Sequence, residues 1–205
     1  MLKNLSLKMN YLAHAYFSFN HPGILIGNMI SDYVKGKKKF EYPERILQGI
    51  MLHRRIDTFT DEHEATKAAK VFFKPAYRLY SGAMIDVVYD HFLANDTTIF
   101  KNEDELIDFG IRTCSILNKN FDILPERFKK MLPYMTAQKW LFNYRFRWGI
   151  QQSFRGVAYR AKFINESEIA FALFNNNYYA LKECYNHFIN DVNTFTRNER
   201  SNLLA

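Results

Sequence analysis

A chain of 205 residues with 48% hydrophobic and 24% charged residues is globular rather than disordered, and it is long enough for one domain with a substantial core. A formal net charge of +7 favours an acidic partner, whether nucleic acid, an anionic membrane surface or an acidic protein. Isolated Cys114 and Cys184 argue against a disulfide scaffold, and eight glycines and five prolines are too few for a barrel or sandwich of short strands.

In chain order, the first nine residues carry two lysines but no uninterrupted apolar stretch and no cleavage site, so a signal peptide is not expected. No run approaches the ~20 apolar residues needed to span a bilayer, and a soluble, cytoplasmic protein is the expectation. Tyr11–Phe17 reads as a short apolar helix or strand broken by His21-Pro22-Gly23. Ile24–Val34 resumes as an apolar helix that holds Asn28, Ser31 and Asp32 and ends in the cationic turn Gly36-Lys37-Lys38-Lys39. Pro43-Glu44 starts a helix whose apolar residues Ile46, Leu47, Ile50, Met51 and Ile56 recur at helical spacing. Helix continues from Asp61 to Phe73, with a bend or break at Pro75, and Ala83–Leu93 is a further apolar helix. Amphipathic segments follow at Asp104–Leu117 and Pro125–Met135. Glu166–Phe195 is a long helical region interrupted near Asn175-Asn176-Asn177. The fold class is all-α, a single-domain helical bundle.

The chemistry concentrates in two stretches. Leu52-His53-Arg54-Arg55-Ile56-Asp57-Thr58-Phe59-Thr60-Asp61 puts His53, Asp57 and Asp61 at four-residue spacing, which is one stripe of a helix. Imidazole with carboxylate suits a divalent ion such as Mn, Fe or Zn, and the guanidinium groups of Arg54 and Arg55 suit phosphate. Asp86-Val87-Val88-Tyr89-Asp90-His91 repeats the carboxylate spacing about thirty residues later. Burying an unpaired carboxylate is costly, so Asp32, Asp86 and Asp90 on apolar helices call for ion pairs or a metal cluster. The grouping of His14, Asp32, His53, Asp57, Asp90 and His91 favours the cluster, and with it a metal-dependent phosphoester hydrolase. His21, His63 and His187 read as ordinary surface histidines. Arg145, Arg147, Arg155, Arg160 and Lys162 lie among aromatics with no acid between them. Such a segment can bind single-stranded nucleic acid, receive an acidic protein, or simply cover a core.

Four blocks in order carry a family resemblance. They are Met9-Asn10-Tyr11-Leu12-Ala13-His14, then Gly27-Asn28 with Ser31-Asp32-Tyr33-Val34 and Gly36, then Gly49-Ile50 with His53-Arg54-Arg55-Ile56-Asp57 and Thr60-Asp61, then Asp86-Val87 with Asp90-His91-Phe92-Leu93. This pattern resembles the acyl carrier protein phosphodiesterases, with a fainter match through Trp140-Leu141, Tyr144-Arg145, Gly156 and Arg160. Met9 matches the family's start, so residues 1–8 read as an extension or a misassigned start, and 9–205 as the phosphodiesterase domain.

The resemblance implies an atypical, all-α member of the HD phosphohydrolases that removes 4′-phosphopantetheine from holo-acyl carrier protein with Mn²⁺ or a similar ion. The superfamily's dipeptide runs His-Asp, whereas here it is Asp90-His91. Carried over, His53, Asp57, Asp90 and Asp86 hold the metal, with Asp32 as a further ligand or the base that orients water. Arg54 and Arg55 hold the phosphate or neutralise charge in the transition state, and His91 is either the acid for the departing serine oxygen or another ligand. The implied partner is the acidic carrier protein, docked on Lys35, Lys37, Lys38, Lys39, Arg145, Arg147, Arg155 and Arg160, with neither nucleic acid nor membrane insertion expected. Two readings stay beside it: a phosphohydrolase acting on a nucleotide or other small phosphoester, and a non-catalytic basic helical binding module.

Overall fold

Two glycines bring two helix backbones into direct contact and so set the geometry of the N-terminal half. In the computed structural model, which describes residues 11–161 and 166–204, α2 (Pro22–Ile30) crosses α3 (Glu44–Glu62) at Gly27 and Gly49. A Cβ on Gly27 would lie 2.0 Å from the Ile46 carbonyl oxygen, and one on Gly49 would lie 2.2 Å from that of Ile24. Any larger residue would force the helices apart. Met9, Asn10, the first eight residues and Lys162 lie outside the described residues.

α1 (Tyr11–Tyr16) precedes this pair, and α4 (Glu64–Tyr77), α5 (Ser81–Ala94), α6 (Glu103–Lys119) and α7 (Glu126–Ala137) follow it. The short α8 (Trp140–Asn143), α9 (Arg147–Arg160), α10 (Glu168–Asn176) and α11 (Tyr178–Leu204) complete eleven α-helices, with no strand among the described residues. The bundle is all-α. α5 is its axis: apolar on every side, it is buried at every residue but Gly82 and packs against α1, α4, α9 and α11.

Local chemistry explains where the sequence expectations shift. His21-Pro22 starts a helix rather than breaking one, because proline fits the first helical turn and the His21 side chain accepts the Ile24 N–H. Helix does not run through Asp61 to Phe73, since His63 closes α3 and caps α4 by accepting the Ala65 N–H. Pro75 sits in the last turn of α4 without ending it. After Ile30 the α-helix tightens to a 3-10 turn, Ser31–Tyr33, and a second 3-10 turn, Gly36–Glu41, carries the lysines. Gly36, at φ +57°, supplies the left-handed residue between the two turns.

Candidate functional site

Beside the α2–α3 crossing, two buried imidazoles stack with ring centroids 3.8 Å apart: His14 from α1 and His53 from α3. Asn28 of α2 orients both. Its side-chain oxygen accepts from His14 Nδ1 at 2.8 Å, and its backbone oxygen accepts from His53 Nδ1 at 2.7 Å. That carbonyl is available because it lies in the last turn of α2, where helix carbonyls lose their intrahelical partners. The Asn28 amide is itself fixed by donating to the His14 carbonyl and to Ser18 Oγ. Since Asn28 offers only acceptors to the rings, both Nδ1 atoms carry protons, and each ring, when neutral, turns an Nε2 lone pair the other way.

Those lone pairs meet carboxylates. His14 Nε2 lies 3.4 Å from Asp57 Oδ1, and His53 Nε2 lies 3.3 Å from Asp57 Oδ2 and 3.4 Å from Asp32 Oδ1. One ligand atom each from His14, His53 and Asp57 falls within 4.8 Å of the others. Asp57 follows His53 by one helical turn, as the four-residue spacing requires, and Asp32 arrives on the 3-10 turn after α2.

The electrostatics show what this group lacks. Burial pushes the His53 imidazole down, but the Asp57 and Asp32 carboxylates outweigh it and raise the ring to about 10. Burial also works against the Asp57 carboxylate, yet the two histidines hold it well below the usual range. His14, stacked on His53, is lowered by burial and by its neighbour's charge. The chain alone resolves the excess of acceptors with a proton on His53. Neither His14 Nε2 nor His53 Nε2 comes closer than 3.3 Å to a carboxylate oxygen. The two imidazole nitrogens and the Asp57 carboxylate converge in a donor set that fits a divalent cation, with the Asp32 carboxylate beside His53 and Asn28 orienting both rings.

The family match spans these segments. A family model described as acyl carrier protein phosphodiesterase matches residues 9–192. This chain belongs to the acyl carrier protein phosphodiesterase family. It is 31% identical over 177 residues to the acyl carrier protein phosphodiesterase of Yersinia pestis, covering 86% of this chain and 92% of the relative. It is 30% identical over 174 residues to that of Serratia proteamaculans (strain 568), covering 85% and 90%. Against that of Enterobacter sp. (strain 638) it is 34% identical over 152 residues, covering 74% and 79%. No solved structure matches the chain.

In this family member the second acidic stretch plays a different part from the first. Asp90, fully buried on α5, accepts the backbone N–H of Leu12 at 3.1 Å and of Ala13 at 2.9 Å. It thereby satisfies two orphan donors at the start of α1, the helix that carries His14. Burial pushes its carboxyl up, and those two N–H groups pull the other way. Asp86 is buried one turn earlier and adds to the upward push on Asp90. His91 faces away from the cluster: Nδ1 donates to the Tyr144 carbonyl at 2.8 Å, and Nε2 lies 3.3 Å from the Tyr178 hydroxyl. Burial lowers its ring to about 4, so it is neutral. The structure does not bring Asp86, Asp90 or His91 into the His14–His53–Asp57 group.

The flanking cations of this phosphodiesterase-family chain are also redistributed. Arg55 points to the opposite side of α3 from His53 and pairs with Glu199 of α11. Arg54 Nη2 donates to the Val34 carbonyl at 2.9 Å and ties down the turn that carries Asp32. Asp61, the last acid of the expected stripe, pairs with Lys70 at 3.0 Å. Arg145 pairs with Glu103 at 3.2 Å, and Arg155 with Glu168 at 3.0 Å. Arg147 bonds Asn175 and lies 4.6 Å from the Tyr178 ring centroid. Lys39 bends back to Met51 Sδ at 3.2 Å, whereas Lys35, Lys37 and Lys38 are exposed immediately beyond Asp32. No described helix is long and apolar enough to cross a membrane.

Proposed function

We propose that this chain hydrolyses the phosphodiester between 4′-phosphopantetheine and the serine of holo-acyl carrier protein, using a divalent cation held by His14, His53, Asp57 and Asp32. The convergence of the His14 and His53 Nε2 lone pairs on the Asp57 carboxylate carries this reading. A phosphodiester anion repels its nucleophile, and a divalent ion, when bound, supplies both charge neutralisation and a more acidic water. Mn²⁺ is the ion proposed, since a set of two imidazoles and two carboxylates suits Mn, Fe or Zn.

The chain's own residues do the rest. Asn28 holds both rings in the tautomer that presents Nε2. Asp90 fixes the first turn of α1 and so the position of His14, acting as an anchor rather than a ligand. Asp32 and Asp57 are the partly exposed members of the group, each side chain 18% accessible, and Asp32, on the 3-10 turn after α2, has a second carboxylate oxygen that would orient the attacking water and take its proton. Water oxygen bonds to phosphorus, and the carrier's serine oxygen leaves and takes up a proton. The acidic carrier protein approaches over Lys35, Lys37 and Lys38, which follow Asp32 by three to six residues.

The test is to mix purified protein with holo-carrier protein and Mn²⁺ and follow the carrier's mass. Loss of the prosthetic group, abolished when the ion is omitted, is the expected result. An unchanged carrier with Mn²⁺, Fe²⁺ and Zn²⁺ alike, alongside turnover of a nucleotide, would move the substrate to a small phosphoester.

A further inference from the structure

Away from the histidine cluster, α6, α7 and the short α8 enclose a cleft of about 280 Å³. Its wall is largely apolar, with Ile107, Ile111, Met135, Leu141 and Phe142 among the lining residues. None of those residues belongs to the His14–His53–Asp57 group. Polar side chains in the wall are spent on the protein itself. Asn118 donates to the Cys114 carbonyl and the Thr136 hydroxyl, and that hydroxyl donates to the Leu132 carbonyl. Lys139 is the single charged residue in the lining. It is exposed, and among the described residues it makes no ion pair.

Two residues of this cleft run against local conformational preference. Gly110 sits in the middle of α6, where glycine disfavours the helix. Neither its backbone nor its packing asks for glycine. Its φ is not positive, and a Cβ there would meet only Leu141 Cβ, at 3.7 Å, an ordinary contact. Lys139 follows Gln138, the C-cap of α7, at φ 51° and ψ 48°. Helices commonly fill that left-handed position with glycine. The chain thus omits a side chain where the helix favours one, and keeps a long cation where glycine would fit. Departures of this kind concentrate at functional sites. We infer that this cleft binds the hydrocarbon chain of a medium-chain fatty acid, with its carboxylate at the Lys139 ammonium. Gly110 leaves room for the chain, and at about 30 Å³ per methylene-sized group the cleft holds about nine of them. The apolar stem of Lys139 extends the wall, and its charged end meets the ligand's where both reach solvent.

The experiment titrates a series of fatty acids from hexanoate to dodecanoate, and octanol, into the full chain by calorimetry below their micelle concentrations. Burying one more methylene is worth roughly fourfold in affinity. Binding should tighten by about that ratio per carbon and level off near about ten carbons, when the cleft is full. Octanol, which lacks the charge, should bind several-fold more weakly than octanoate. Lys139→Gly should erase that preference, keep the octanol affinity and melt no lower than wild type. Gly110→Ala should melt higher and bind octanoate more weakly, and Gly110→Leu, which fills the cleft, should not bind it. Should Gly110→Leu fail to fold, Gly110→Ala decides: weaker binding at a higher melting temperature upholds the site, and unchanged affinity overturns it. Affinity that keeps climbing through dodecanoate would mark adsorption to the surface and reject the cleft. So would an absence of binding at millimolar decanoate, or wild-type affinity in folded Gly110→Leu. An unaltered preference for octanoate over octanol in Lys139→Gly would reject the carboxylate's place at the ammonium.

Discussion

α3 and α5 carry nearly the same sequence signature, a histidine with carboxylates four residues apart on an apolar helix, yet the bundle uses them in opposite ways. His53 and Asp57 of α3 turn toward a second imidazole and become one corner of a cluster. On α5, Asp90 spends its oxygens on the backbone of α1, and His91 is held between Tyr144 and Tyr178. Spacing decides which side chains share a helix face. It says nothing about what stands opposite that face. Opposite α3 stand Asn28 and His14, while opposite α5 stands a helix too short to hold itself, six residues with its first N–H groups exposed to capture.

The sharpest way to break this contrast is His53→Ala. A divalent ion contributes several kcal/mol to phosphoryl transfer, so losing a ligand should cut kcat/KM about a thousandfold or more. Stoichiometric metal, followed by elemental analysis, should be lost with it. Holo-carrier hydrolysis at the wild-type rate would reject the site. Asp90→Ala should look different. Leaving two buried N–H groups unsatisfied costs about 3 kcal/mol of stability, read as a lowered urea midpoint. Metal stoichiometry should survive at temperatures where the variant is folded. A variant with unchanged stability that no longer binds the ion would make Asp90 a ligand after all.

Asn28→Ala sharpens the comparison from within α2. It removes the acceptor of His14 Nδ1 but leaves the backbone oxygen that serves His53, so one ring loses its orientation and the other keeps it. The expected cost is about 10–100-fold in metal affinity. A smaller effect follows from protonation. In the metal-free chain His53 holds its proton up to about 10, well above the ordinary 6.5. Its contribution to stability is therefore complete below pH 6.5 and is lost as pH rises toward 10. An ion must displace that proton, so affinity should rise about tenfold per pH unit between pH 7 and about 8.5. An unshifted imidazole would give a flat profile across that range.

Much of the fold was legible because apolar residues at helical spacing announce buried helix faces, and Gly/Pro scarcity left little room for strands. The site was legible in part. His53 and Asp57 carry their geometry in their spacing, and Asp32 stands out as a charge at the end of an apolar run. Asn28 does not stand out, since a neutral amide on an apolar helix carries no charge signal, and its role depends on two partners from other helices. His14 belonged to the group of suspect residues, but nothing local marks it as the second ring. The Gly27–Gly49 approach that assembles these parts is a pairing between helices, invisible along either one. The same limit misplaced Arg55, whose partner Glu199 lies 144 positions away.

The basic residues repeat the lesson at the surface. Arg145, Arg147 and Arg155 look in sequence like a docking strip, but each meets a local partner, whereas Lys35, Lys37 and Lys38 project from a turn anchored next to Asp32. Exposed ion pairs add little to stability, yet they cancel the field that steers an acidic partner. Replacing the three lysines by glutamine should slow kcat/KM for holo-carrier protein several-fold at low salt, an effect that shrinks as ionic strength rises. Replacing Arg145 and Arg155 together with Glu103 and Glu168 leaves the net charge unchanged and should leave the rate unchanged too. Equal slowing by both sets would mean that the carrier reads the whole basic surface. A defect confined to the lysines would mean that it reads the turn beside the cluster.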